Sequence, residues 1–162
     1  MTIIKLKNKK KIITGIWFFG LSGSGKHFAS KFIGRHKKNC IIIDGDVVRK
    51  YISFDLGYSK QDRDKQIKRA YGIAKIAIKS KLFPIISVLW MNNEVAKIAK
   101  RNGIEIVKIE RDLKKIYKSH KTYKNKKNVV SIDIDYPKMK IKPKKIFNTG
   151  DKNFYSVLRE LI

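Results

Sequence analysis

The 162-residue chain holds one cysteine, Cys40, which excludes an intramolecular disulfide and a cysteine-rich zinc site. It stands in the apolar run Cys40-Ile41-Ile42-Ile43, where a small buried core residue is expected rather than a reactive thiol. No stretch approaches the roughly 18 consecutive apolar residues of a membrane span. There is no Pro/Gly/Ser-rich linker and no internal repeat, so residues 1–162 read as one domain. Acidic residues are scarce, 13 against 39 Lys and Arg, for a formal net charge of +26. That excess suits phosphate-rich partners. Yet the lysines are scattered rather than blocked, and Lys, Ile and Asn are abundant together, as in proteins of A/T-rich genomes. No specific nucleic-acid partner is therefore expected. With 43% hydrophobic residues and a mean hydropathy of -0.36, the chain belongs to the soluble globular class.

Lys9-Lys10-Lys11 followed by Ile12 to Phe19 imitates the basic and apolar regions of a signal peptide. The apolar stretch runs straight into a glycine-rich loop that cleavage would destroy. A buried first strand and a cytoplasmic location are the expectation.

Strand-like apolar runs, read as buried, cover Thr14–Phe19, Cys40–Asp44, Pro84–Trp90, Ile104–Ile109 and Lys145–Asn148. Between them, Ser59–Ser80 carries Ile67, Ala70, Tyr71, Ala74, Ala77 and Ile78 at helical spacing. Shorter helices are expected over His27–Arg35, Asp46–Ile52, Glu94–Arg101 and Asp112–Ser119. A closing helix has the stripe Phe154, Val157, Leu158 and Leu161. Such alternation predicts an α/β fold, a parallel sheet with helices on both faces. Lys118–Asn128, dense in lysine and poor in large aliphatics, is the expected mobile segment.

Gly20-Leu21-Ser22-Gly23-Ser24-Gly25-Lys26 matches the GxxxxGK part of the phosphate-loop pattern. Its backbone N–H groups would curl around phosphate oxygens, and the following helix aims its positive end at them. An apolar strand before it and a helical segment after it supply the required context. Gly20, Ser22, Gly23, Ser24, Gly25, Lys26 and His27 are the candidate ATP-binding residues, with Lys26 neutralising the β- and γ-phosphates. His27 breaks the pattern, because the Ser or Thr normally found there ligates Mg²⁺. Imidazole is a poor ligand for that hard cation, and His27 reads as a tolerated helix-start residue.

Asp44-Gly45-Asp46-Val47-Val48-Arg49, Asp55-Leu56-Gly57-Tyr58-Ser59 and Asp62-Arg63 resemble the DGDxxR, DLGFS and DRxxNxRR blocks of adenylylsulfate (APS) kinases. Arg111-Asp112-Leu113-Lys114-Lys115-Ile116-Tyr117 is similar to that family's RDPKGLY segment. The resemblance implies a phosphate-loop three-layer sandwich around a parallel sheet, a lid over about 118–136, and a homodimer. It implies transfer of the γ-phosphoryl of MgATP to a nucleotide 3′-hydroxyl. Asp44 would stand beside Mg²⁺, possibly through water, or beside the attacking hydroxyl; Lys26 and Asp44 are the candidate catalytic pair. Asp46 and Arg49 would position the acceptor, Arg63 its phosphate, Tyr58 its base, and Lys114 would reach it from the lid. Taken singly, Asp46 could equally cap a helix, and Arg49, Arg63 and Lys114 could be solvated charges.

The chain departs from the family at the acceptor side. Gln66 replaces an Asn, Lys68 an Arg, and the ISPYR block becomes Ile86-Ser87-Val88-Leu89-Trp90-Met91. The lid's FTGID becomes Val129-Val130-Ser131-Ile132-Asp133, so the adenine-stacking Phe is Val129. A pyrimidine tolerates that loss better than a purine. The pattern resembles the capsule-locus branch of the family, the cytidine diphosphoramidate kinases. Its acceptor is a nucleoside diphosphate derivative. An adenylylsulfate kinase and a non-catalytic nucleotide- or nucleic-acid-binding protein are the alternative readings.

Overall fold

The computed structural model describes residues 12–124 and 127–162; the basic Lys9-Lys10-Lys11 cluster and two lid positions lie outside them. Among the described residues, five strands form one parallel sheet: β1 (Gly15–Phe19), β2 (Cys40–Asp44), β3 (Phe83–Val88), β4 (Ile104–Glu110) and β5 (Lys144–Phe147), in the order β2-β3-β1-β4-β5. The most apolar run takes the centre. Trp17 of β1 pairs with Ile86 of β3 on one side and Ile106 of β4 on the other.

Side chains alternate between the two faces with the strand period. Trp17, Phe19, Ile43, Ile86 and Val88 point to one layer, α2 (Gly45–Tyr51), α3 (Lys60–Lys79) and α4 (Asn93–Arg101). Ile67, Ala70 and Ala74 form the buried stripe of α3, whose alanines let the helix lie close to the sheet. Ile16, Phe18, Ile85, Val107 and Ile109 point to the other layer, where α1 (Lys26–His36) and α6 (Lys152–Arg159) bury Ile33, Phe154 and Leu158. The α/β sandwich expected from the alternation is thus present. Among the described residues, no helix is long and apolar enough to cross a membrane.

The expectations for three strands are corrected. β2 and β5 are sheet edges rather than buried strands, so Ile42 is partly exposed and three of the four residues of β5 face solvent. For the same reason Cys40 is half-buried, its Sγ donating to the Gly34 carbonyl at 3.6 Å. The third strand also ends at Val88, and Leu89-Trp90 leave the sheet. The first part of the lysine-dense stretch closes α5 (Leu113–Ser119) and continues as a 3₁₀ turn, Lys121–Lys124. There the Tyr123 hydroxyl donates to the Ser22 carbonyl at 2.8 Å, docking the turn on the phosphate loop. The loops leaving β1, β2 and β3 meet at their carboxyl ends, the edge where open parallel sheets bind ligands.

Candidate active site

The phosphate loop is built around two glycines that no other residue can replace without strain. Gly25 has φ 106°, and a Cβ there would collide with the Asn148 amide; at Gly20 it would collide with the Ile109 carbonyl. Asn148 Nδ2 donates to the Ser24 carbonyl at 2.8 Å, so the end of β5 holds the loop. Arg111 Nη1 donates to the Gly23 carbonyl at 3.1 Å. Neither contact was legible in the sequence: Arg111 stands in the RDPKGLY-like segment without a sign that it braces the loop, and no local pattern marks Asn148 as a partner.

Lys26 Nζ donates to the Leu21 carbonyl at 2.8 Å. Burial pulls its pKa down to about 8, against the opposing pull of the Asp46 and Asp44 carboxylates. A bound triphosphate favours the ammonium form. Nucleotide affinity is therefore expected to be flat below pH 8, where Lys26 already holds its proton. Above it, affinity should fall by up to about tenfold per pH unit, since binding must then take up a proton. Calorimetric titration with an ATP analogue from pH 7 to 9.5 checks the break, which Lys26→Ala should remove.

Asp44 ends β2 and caps α2. Its Oδ1 accepts from the backbone N–H of Asp46 at 2.9 Å and of Val47 at 3.4 Å. The capping role weighed for Asp46 therefore belongs to Asp44, and Asp46 lines the cleft from the first turn. Asp44 Oδ2 faces His27 Nδ1 at 3.1 Å. His27 is thus more than a helix-start residue, being in direct contact with the cleft's carboxylate. Among the described residues no three His, Cys, Asp or Glu side chains gather to hold an ion. One carboxylate with nucleotide phosphates and waters is a common Mg²⁺ arrangement, so Asp44 fits that ion, whereas the imidazole beside it does not.

The residues expected to meet the acceptor form a cluster of cations around one ring. The Arg49 guanidinium lies 4.5 Å from the Tyr58 ring centre and the Arg63 guanidinium 5.8 Å from it. Arg49 Nη1 also donates to the carbonyls of Leu56 (3.1 Å) and Gly57 (2.6 Å), shaping the loop that presents Tyr58. A second brace comes from Arg69, which pairs with Asp55 through both guanidinium nitrogens. Burial and the nearby Arg49 charge hold Arg63 below its usual pKa, so an anion brought here would be welcome. Arg63 Nη2 donates to the Asn128 carbonyl at 2.7 Å, next to buried Val129. Gln66, 5% exposed, donates from Nε2 to the Gly45 carbonyl at 3.0 Å. That contact fixes the amide's orientation and leaves Oε1, like Arg63 Nε, buried without a partner among the described residues.

Ser22, Gly23, Gly25, Lys26, His27, Asp44, Asp46, Arg49, Tyr58, Arg63, Gln66 and Val129 all line one cleft of about 1240 Å³. It exceeds the usual small-molecule pocket and has room for a nucleotide pair. Gly20 and Ser24 lie outside the lining, Ser24 fully buried. Lys114 is not brought to the cleft; its backbone N–H is bound by Asp112 at the start of α5. Trp90, not foreseen as a site residue, lines the cleft while stacking on Tyr136 and donating from Nε1 to Asp64 at 2.8 Å.

A strand, a glycine-rich turn and a helix around a cationic cleft define a phosphate-loop α/β nucleotide-binding protein. The sequence model of the family described as adenylylsulphate kinase matches residues 13–141, and the chain belongs to that family. An adenylyl-sulfate kinase of Buchnera aphidicola is 32% identical over 142 residues, 75% of this chain and 68% of the relative. One from Bacteroides fragilis is 38% identical over 90 residues, 53% of this chain and 45% of the relative. The chain thus spans about half the length of the Bacteroides relatives it matches and two thirds of the Buchnera one. The structure of the Mycobacterium tuberculosis APS kinase CysC in complex with AMPPNP and APS shares the fold. Its TM-score is 0.75 at 20% identity, over 93% of this chain and 96% of that one.

Proposed function

We propose that this protein is an ATP-dependent, cytoplasmic kinase acting on the ribose 3′-hydroxyl of a modified nucleoside diphosphate. Its acceptor is read as cytidine diphosphoramidate, in the making of capsular-polysaccharide phosphoramidate. The observation that carries the reaction type is one cleft joining Lys26 and the Asp44–Asp46 carboxylates to the Arg49–Arg63 cluster. Phosphoryl transfer needs alignment and charge stabilisation more than covalent help, and these groups supply both. The acceptor oxygen bonds to the γ-phosphorus as the bond to the β–γ bridging oxygen breaks, and ADP leaves. Lys26 meets the charge on the donor phosphates, and the hydroxyl proton passes to the Asp44–Asp46 carboxylates. Arg49 and Arg63 hold the acceptor diphosphate, and Tyr58 offers its ring to the base. A divalent ion such as Mg²⁺, held by Asp44 and the nucleotide's own phosphates, would supply further charge neutralisation.

Two features support the phosphoramidate acceptor. Val129 stands where an adenine-stacking Phe occurs in the family, and buried Gln66 Oε1 is an acceptor awaiting a donor. A phosphoramidate amine carries N–H groups, which a sulfate lacks. The adenylylsulfate alternative is favoured by the names of the curated relatives. The exposed run Val47, Tyr51, Ile52 and Phe54 beside the cleft supports a homodimer as part of this reading.

The test is a paired assay with ATP and either acceptor, following 3′-phosphorylation by ³¹P NMR. Faster turnover of the phosphoramidate is expected. Faster turnover of adenylylsulfate overturns the cytidine assignment, and nucleotide binding without transfer overturns the kinase.

Val129→Phe gives a sharper measure of base recognition. An added stacking face is worth about 0.5–1.5 kcal/mol, so the variant should shift kcat/KM toward an adenosine acceptor by up to about tenfold. An unchanged adenosine-to-cytidine ratio would mean that position 129 does not face the base.

A further inference from the structure

His27 takes the position where phosphate-loop proteins carry a hydroxyl ligand for Mg²⁺. Its side chain is 63% exposed at the cleft, with Nδ1 3.1 Å from Asp44 Oδ2. Two ligand atoms bound at a right angle, each about 2.1 Å from a shared ion, stand about 3 Å apart. The pair has the separation of neighbouring ligands, and a turn of the exposed imidazole would take Nδ1 off its line to Oδ2 and aim it at an ion that both atoms share. Moving the ring proton from Nδ1 to Nε2 frees the Nδ1 lone pair without changing the charge of the imidazole.

No third side chain completes such a site among the described residues, which leaves the other positions to phosphate oxygens and water. That is the usual composition around a nucleotide-borne ion. A nitrogen donor contributes little to hard Mg²⁺ and more to first-row transition ions, whose affinity for nitrogen–oxygen sites rises along the series from Mn²⁺.

We infer that His27 and Asp44 form a nitrogen–oxygen ligand pair that makes this nucleotide site select a first-row divalent transition ion over Mg²⁺. The inference rests on the ATP-site reading above. Mn²⁺ is the probe, because its electron spin reports directly bound nitrogen.

The experiment uses the full chain with Mn²⁺ and the β,γ-methylene analogue of ATP, which has no nitrogen in its phosphate bridge. Pulsed electron paramagnetic resonance should show a directly bound imidazole nitrogen that changes with ¹⁵N-histidine labelling and vanishes in His27→Thr. The same substitution should lower the preference for Mn²⁺ over Mg²⁺, measured as the ratio of dissociation constants, by about tenfold. His27→Ser, still shorter, should behave alike. Binding of the analogue and Mn²⁺ without a histidine signal, or an unchanged ratio in both variants, overturns the ligand pair and leaves the nucleotide site standing. Failure of the analogue to bind at all overturns both.

Discussion

Lys26→Ala is expected to reduce phosphoryl transfer by at least about 10³-fold while leaving the fold in place. The loss follows from removing the half-buried cation of the phosphate loop at the moment charge spreads over the transferring group. The fold should tolerate the change, because little packing depends on the ammonium. Its contact with the Leu21 carbonyl contributes about 1 kcal/mol, and relief of a buried charge acts in the opposite direction. Alanine also suits the first turn of α1. Thermal unfolding should therefore shift by only a few degrees, with ADP release and acceptor phosphorylation both lost. Near-normal turnover would mean that the loop does not hold the donor phosphates.

That loop was legible because its logic is contiguous: strand, glycine turn and helix follow one another within Gly15–His36. Cys40–Asp44 emerged at its observed limits for the same reason, an apolar run closed by Asp-Gly-Asp. Its place in the sheet did not. An isoleucine run reads alike at the centre and at the edge, and only the crossover order put β2 outermost, exposing Ile42. Contacts across long separations were equally hidden, as with Asn148 beneath Ser24 or Tyr123 on Ser22. The choice of cap was a closer miss. Asp44 and Asp46 lie two residues apart before one helix, and hydrogen bonding gives the role to the earlier residue. The contact between His27 and Asp44 joins the first turn of α1 to the end of β2, which are neighbours only once β2 and β1 share a sheet.

Asp44→Asn should lower kcat by about 10²–10⁴-fold with the acceptor KM little changed. Asparagine ranks with aspartate as a helix cap, so its side-chain oxygen can still accept from the Asp46 N–H and keep α2 in place. The amide can also meet His27 Nδ1, provided the imidazole takes its other tautomer. What disappears is the negative charge. The variant has one carboxylate fewer to accept the hydroxyl proton and one anion fewer beside a divalent ion. Lys26 registers the same loss, since the Asp44 charge is among the forces that hold its proton. The pH at which nucleotide affinity begins to fall should accordingly move below 8, a shift that a purely structural lesion at the end of β2 would not produce. A raised acceptor KM with kcat intact would make Asp44 a positioning residue. An unmoved pH break would separate it from the charge balance around Lys26.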